Sequence, residues 1–176
     1  SELTYDSGDF PAVFESGLKA ADWDGFDIRR AESEARGKIR DLGLAAYLEV
    51  TGPQATEMGE LRFNDDGSVT MVSGSLNYGQ GHHSTFAQIV HTATGIPFDR
   101  LDLIQGDSDQ LIAGGGTGGS KTVIAAGTLL VHASEMVIEN GRKLSAHILE
   151  ASEADIEFEK GTFQIAGTDR SIDIMS

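Results

Sequence analysis

Residues 68–95 read SVTMVSGSLNYGQGHHSTFAQIVHTATG. The first six read as a short strand, with β-branched Val69, Thr70 and Val72 among them. A bend rich in glycine and polar residues follows. From His82 the period changes, with Phe86, Ile89, Val90 and Ala93 on one face, so a helix is expected to about Thr94, ended by Gly95. This strand–glycine turn–helix unit recurs at 101–150, where the strand in IPFDRLDLIQGDSD (96–109) leads into AGGGTGGSKT (113–122) and a long helix. In that helix Val123, Leu129, Leu130, Val137 and Leu144 share the side expected to be buried.

Around these units, GLAAYLEVTG (43–52), GELRFND (59–65) and SVTMVSGSLN (68–77) read as short strands, and NDDG at 64–67 is a hairpin turn. ADIEFEKGTFQIAG (154–167) closes with another hairpin. Upstream, Asp9 is an N-cap for a helix carrying Val13, Phe14, Leu18 and Ala21, with Pro11 in its first turn. A second helix is expected from Gly25 to about Lys38, its charges forming a solvated or docking face. The fold class is therefore α+β, with a mixed or antiparallel sheet, two strand–Gly turn–helix units and an N-terminal helical lead-in. The domains are a lead-in at 1–40 and a binding lobe at 41–176, expected to be an incomplete piece of a longer chain.

Thirteen basic residues against 28 acidic give a net charge of −15. Such a surface repels nucleic acid and anionic lipid, so neither is an expected partner. The absence of cysteine from the 176 residues removes thiolate zinc and iron–sulfur ligation from this stretch. No apolar run reaches membrane-spanning length, and a cytoplasmic location is the expectation.

The chemistry gathers at the two glycine turns. A helix N-terminus offers unpaired N–H groups and a partial positive charge, and glycines before it permit close approach of a bulky anion. Gly79 and Gly81 flank Gln80, whose amide both donates and accepts and can address an oxo or amide-like group. The five glycines of 114–119 are followed by Ser120, Lys121 and Thr122 as hydroxyl and ammonium donors. A flexible loop is the rival reading of that cluster, but flexible linkers seldom finish in Ser-Lys-Thr opening an apolar helix. A nucleotide-triphosphate loop needs glycine directly before the lysine, where Ser120 stands. His82 and His83 point about 100° apart on a helix, which disfavours one metal taking both. One histidine hydrogen bonding within the turn is the expected arrangement. Asp107 and Asp109 in DSDQ (107–110) suit a turn or helix cap better than a catalytic pair, and His132 and His147 suit structural or exposed positions.

GQGHHSTFAQIVHTATGIPFDRLDLIQGDSDQLIAGGGTGGSKTVIAAG (79–127) closely resembles the molybdopterin-binding region of the xanthine dehydrogenase/aldehyde oxidase family, in the bacterial branch that includes the carbon monoxide dehydrogenase large subunit. The lead-in TYDSGDFPAVFESGLKAADWDGF (4–26) and RRAESEARGKIRDLGLAAYLEVTG (29–52) resemble it too, so the likeness spans essentially the whole chain. It implies part of a molybdenum hydroxylase, an oxidoreductase that hydroxylates an aldehyde, N-heterocycle or related small molecule with oxygen from water, or oxidises carbon monoxide. Electrons would leave through iron–sulfur and flavin partners. The implied cofactor is molybdopterin, as its cytosine dinucleotide, bound by Gly79, Gln80, Gly81 and His82 in the first turn and by Thr117, Gly118, Gly119, Ser120, Lys121 and Thr122 in the second. Gln80 would face the molybdenum centre, and both turns would face one cleft. The remainder of the large chain is an implied partner, and the piece alone is expected to be inactive and empty. The residue after the first histidine is often glutamate or threonine in that family, so the role of His83 is open. Lys121 stands where arginine is common, a point charge in place of a bidentate fork. The catalytic glutamate is assigned to none of the carboxylates here, Glu49 and Glu57 included. The alternative class is a non-redox module for a small anion or nucleotide, and a weaker third is a structural lobe.

Overall fold

The structure is a computed structural model and describes residues 5–48, 52 and 56–176. The chain divides into two compact units, Ser1–Leu48 and Glu49–Ser176.

In the first unit, α1 (Phe10–Ala20) starts as expected, the Asp9 carboxylate accepting from the Ala12 N–H at 3.0 Å. Helix α2 runs over Phe26–Glu34 and stops short of Lys38. The reason is Gly37, in the left-handed region at φ +68°, which turns the chain so that the Lys38 N–H closes on the Ser33 carbonyl at 2.9 Å. Arg29 holds the α1–α2 junction by donating to the carbonyls of Ala21 and Asp22 and to the Asp22 carboxylate. The strand expected over 43–52 is not formed at 43–48, which lack a ladder partner among the described residues, while 49–51 lie outside the described residues.

The second unit carries two three-stranded sheets. Strands β1 (Gly59–Phe63) and β2 (Val69–Ser73) form the hairpin over the 64–67 turn, paired from Gly59–Ser73 to Phe63–Val69. Helix α3 (His82–Thr94) then crosses to β3 (Leu101–Ile104), which lies parallel to β2 with Val69 opposite Leu101 and Val72 opposite Ile104. All five residues of β2 are buried, as befits the central strand. Helix α4 (Thr128–Ile148) packs on α3 and β1. Its approach to β1 needs Gly59, where a Cβ would fall 2.7 Å from that of Leu129. Met71, Phe86, Val90, Ile96 and Leu130 fill this core. The C-terminal half of α4 covers an antiparallel meander of β4 (Ile156–Glu159), β5 (Thr162–Ile165) and β6 (Ser171–Asp173), centred on Ala146, Ile156 and Phe163. The α+β class with mixed and antiparallel sheets holds.

The long helix differs from its expected phase. Residues Val123–Gly127 form a π turn before α4. That wider turn inserts a residue relative to the 3.6 period. Val123 is 71% exposed, and Leu144, on the flank of α4, is 59% exposed. Ala126, Leu130, Ser134 and Ala146 are buried instead.

Candidate functional site

Because β2 and β3 are parallel, their carboxyl ends lie at the same edge of the sheet. The first glycine turn leaves β2 there, and the second leaves β3. The Gly116 N–H donates to the Gly74 carbonyl at 3.3 Å, and the Leu76 N–H to Thr117 Oγ1 at 3.2 Å. Gly74 and Gly114 touch backbone to backbone, since a Cβ on Gly114 would stand 2.5 Å from Gly74 Cα. The bend at 74–78 and the glycine loop are thus one joined structure.

Within the first turn, Asn77 Oδ1 accepts from the N–H groups of Gly79 and Gln80, each at 2.9 Å. Gln80 Oε1 accepts from the Tyr78 N–H. Its carbonyl end is therefore engaged, and its exposed NH2 end is left to donate outward. Gly79 (φ +109°) and Gly81 (φ +75°) take backbone geometry that favours glycine. No side chain among the described residues caps α3, whose first turn closes with the Thr85 N–H donating to the Gly81 carbonyl at 3.1 Å, so the N–H groups before Thr85 are available to an outside acceptor.

His82 is buried, stacked on Phe86 with ring centroids 5.0 Å apart. Its Nδ1 lies 3.3 Å from Gln105 Nε2. With the amide donating, Nδ1 is the acceptor. His83 is exposed. His82 thus bonds to Gln105 after β3 and not within its own turn, while His83 lies in solvent. Among the described residues no cluster of three or more His, Cys, Asp or Glu side chains is arranged to hold a metal ion.

In the second turn, Thr117 Oγ1 also lies 3.4 Å from Thr122 Oγ1. Lys121 Nζ donates to the Gly115 carbonyl at 3.1 Å, leaving two ammonium protons. Gly119 and Ser120 are both left-handed, at φ +58° and +53°, and the Gly119 carbonyl accepts from the Gly52 N–H at 2.6 Å. Asp107 Oδ1 accepts from the Asp109 N–H at 3.0 Å and Oδ2 from Gln110 Nε2 at 2.7 Å, so DSDQ is a turn.

Glu57, Ser75, Asn77 and Gln105 touch this edge and were not singled out by the sequence pattern. Asn77, just before Gly79, carries an Asx-turn signal that sequence can supply. Glu57 meets Ser75, and Gln105 meets His82, only through the tertiary fold.

The edge is open. A cavity of about 350 Å³ lies between α4 and β5–β6, lined by Val137, Leu144, Phe163 and Ile172, and one of about 310 Å³ lies beside Gly95 and Arg100. In the first unit, a groove of about 740 Å³ runs between α1 and residues 44–48. None of the three is lined by 79–82 or 117–122.

An α+β lobe with two glycine turns at the carboxyl edge of parallel strands has the form of a cofactor-binding domain. The chain belongs to the molybdopterin cofactor-binding domain family, which it matches over residues 16–176. It is 31% identical over 189 aligned residues to the carbon monoxide dehydrogenase large chain of Hydrogenophaga pseudoflava, covering 98% of this chain and 23% of that one. It is 30% identical to the nicotine 6-hydroxylase large subunit of Paenarthrobacter nicotinovorans, covering 96% and 22%. Among solved structures, carbon monoxide dehydrogenase from Oligotropha carboxidovorans superimposes with a TM-score of 0.67 at 27% identity, over 97% of this chain and 24% of that one. The chain thus spans about a quarter of the length of the relatives it matches. No helix among the described residues is long and apolar enough to cross a membrane.

Proposed function

We propose that this chain is part of the cofactor-holding wall of a molybdenum hydroxylase, and that its two glycine turns bind a molybdopterin, in the form of its cytosine dinucleotide. The observation that carries the reading is the parallel pairing of β2 with β3, which sends both turns from one edge. The donor set fits the group. A Cβ on Gly79, Gly81 or Gly118 would meet nothing within 4 Å, so the backbone there is open to a bulky ligand. N–H groups at the uncapped start of α3, the Ser120 and Thr122 hydroxyls and the Lys121 ammonium supply donors to phosphate oxygens. Gln80 would donate its NH2 to an oxo group of the metal centre, with Asn77 and the Tyr78 N–H fixing its direction. His82 would act from below, keeping Gly81 in place. When bound, the cofactor supplies a two-electron redox centre for oxidation of a small substrate.

The rest of the large chain is the first partner of this reading. Ile112, Val123 and Ile124 flank the second turn with 91%, 71% and 58% of their surface exposed, an apolar margin suited to burial by further protein. Iron–sulfur and flavin subunits would carry electrons away. The substrates named in the relatives are too varied to select one, so the substrate is assigned only as a small molecule.

The test is molybdenum analysis of the full-length protein, with Gln80→Ala as the variant. The expected result is stoichiometric molybdenum in the parent and roughly 100-fold lower kcat in the variant, with stability changed by less than about 1 kcal/mol. A full-length protein free of molybdenum, or unchanged turnover in the variant, defeats the reading.

A further inference from the structure

Glu57 lies on neither turn, yet its carboxylate grips the bend that joins them. Oε1 accepts from the Met58 N–H at 3.0 Å, and Oε2 accepts from the Ser75 hydroxyl at 3.0 Å. Ser75 is fully buried, and its own N–H donates to Ser73 Oγ at 3.2 Å. On either side of Ser75 are the two groups that fasten the bend to the glycine loop. The Gly74 carbonyl takes the Gly116 N–H, and the Leu76 N–H reaches Thr117 Oγ1. The backbone passes through a narrow gap here. A Cβ on Gly74 would fall 2.3 Å from both Glu57 Oε1 and the Ala113 carbonyl oxygen. The Glu57 carboxylate and the backbone of residues 113–114 therefore crowd the same face of Gly74, and the bend has no room for a side chain there.

Resting on the reading of the two turns as a cofactor cradle, we propose that Glu57 is a positioning residue for that cradle. By fixing Ser75 it sets the spacing of 79–82 from 117–122, and so the fit of the cofactor, without touching the cofactor itself. Ser75 is its necessary partner. A buried serine that loses the carboxylate, or a carboxylate that loses the serine, leaves a polar group unpaired and the bend free to shift.

The experiment uses the full-length enzyme with Glu57→Ala, Ser75→Ala, the double variant and Glu57→Gln. Molybdenum per folded molecule is measured after gel filtration, together with the Mo(V) electron paramagnetic resonance signal of what is retained. Thermal midpoints are recorded on the same samples. Glu57→Ala and Ser75→Ala are each expected to retain roughly tenfold less molybdenum than the parent, and the retained fraction to show a displaced signal. The double variant should lose no more than either single one, because both remove the same contact. Glu57→Gln should rescue retention to within about threefold, since its amide oxygen still accepts from Met58 and its NH2 can donate to a rotated Ser75 hydroxyl.

Parent-like molybdenum and signal in both alanine variants overturn the proposal, including the case where only the thermal midpoint falls. A Glu57→Gln loss as deep as the alanine loss overturns it as well, because charge and not bracing would then be the cause. Multiplied losses in the double variant do the same. A parent protein without molybdenum removes the cradle reading and this inference together, which separates that failure from the others.

Discussion

Asp107 shows how one side chain ties the loop after β3 to the sheet. Its carboxylate accepts from the Gln110 side chain and the Asp109 N–H, and Gln110 Oε1 in turn accepts from Arg62 of β1 at 3.2 Å. The Gln110 side-chain bond, then the Asp109 and Gln110 backbone bonds, hold the Asp107 carboxyl below its ordinary value of 3.8. A depressed folded value means the contribution is complete above 3.8 and is lost as pH falls through the lower folded value. In an NMR titration the Asp109 amide resonance is therefore expected to show a step whose midpoint lies below 3.8, and Asp107→Asn should remove that step. In the glycine loop, Gly114 is a position where only glycine fits. Gly114→Ala would drive a methyl group into the Gly74 backbone and part the two turns, so full-length protein with this change should lose molybdenum even where it folds. From sequence, residue chemistry pointed to Gly79, Gln80, Gly81, Ser120, Lys121 and Thr122, and the family resemblance added His82 and Thr117. Sequence could not mark the pairing of Glu57 with Ser75, 18 residues apart, or of Gln105 with His82, 23 residues apart.

At the scale of elements, two helical glycines make opposite demands. A Cβ on Gly17 in α1 meets nothing within 4 Å, whereas one on Gly141 in α4 would stand 2.3 Å from Phe163 Cζ. Gly17→Ala is expected to stabilise its helix by up to about 1 kcal/mol through backbone entropy and propensity. Gly141→Ala gains the same propensity, but overpacking costs about 1–3 kcal/mol and outweighs it. Denaturant titration should thus give a higher midpoint for the first and a lower one for the second. Hairpin β1–β2, α3 and the Gly95 stop were legible because turn residues and hydrophobic period agreed with the tertiary packing. The π turn at Val123–Gly127 was not, since a one-residue widening leaves no local mark in an apolar run. Segment 43–48 misled because alternating apolar residues read as strand whether or not a neighbouring strand exists to pair with them.

For the molecule as a whole, the chain supplies about a quarter of the length of its relatives, so in the proposed enzyme the rest of the large chain would supply the other walls of the cofactor site. A ligand held on one side only lacks the burial that tight sites require. Purified alone, the 176 residues are therefore expected to carry no molybdenum by elemental analysis while the full-length protein does; full occupancy of the short chain would refute this. The sequence by itself determined the α+β class, the two glycine turns and the residue types that suit an anionic, oxo-bearing ligand, because turn chemistry and hydrophobic period are local properties. Only the tertiary structure decided that the turns adjoin. That follows from β2 and β3 running parallel, a pairing between segments whose direction no local pattern encodes, and from a glycine–glycine contact that lets two backbones meet where side chains would keep them apart.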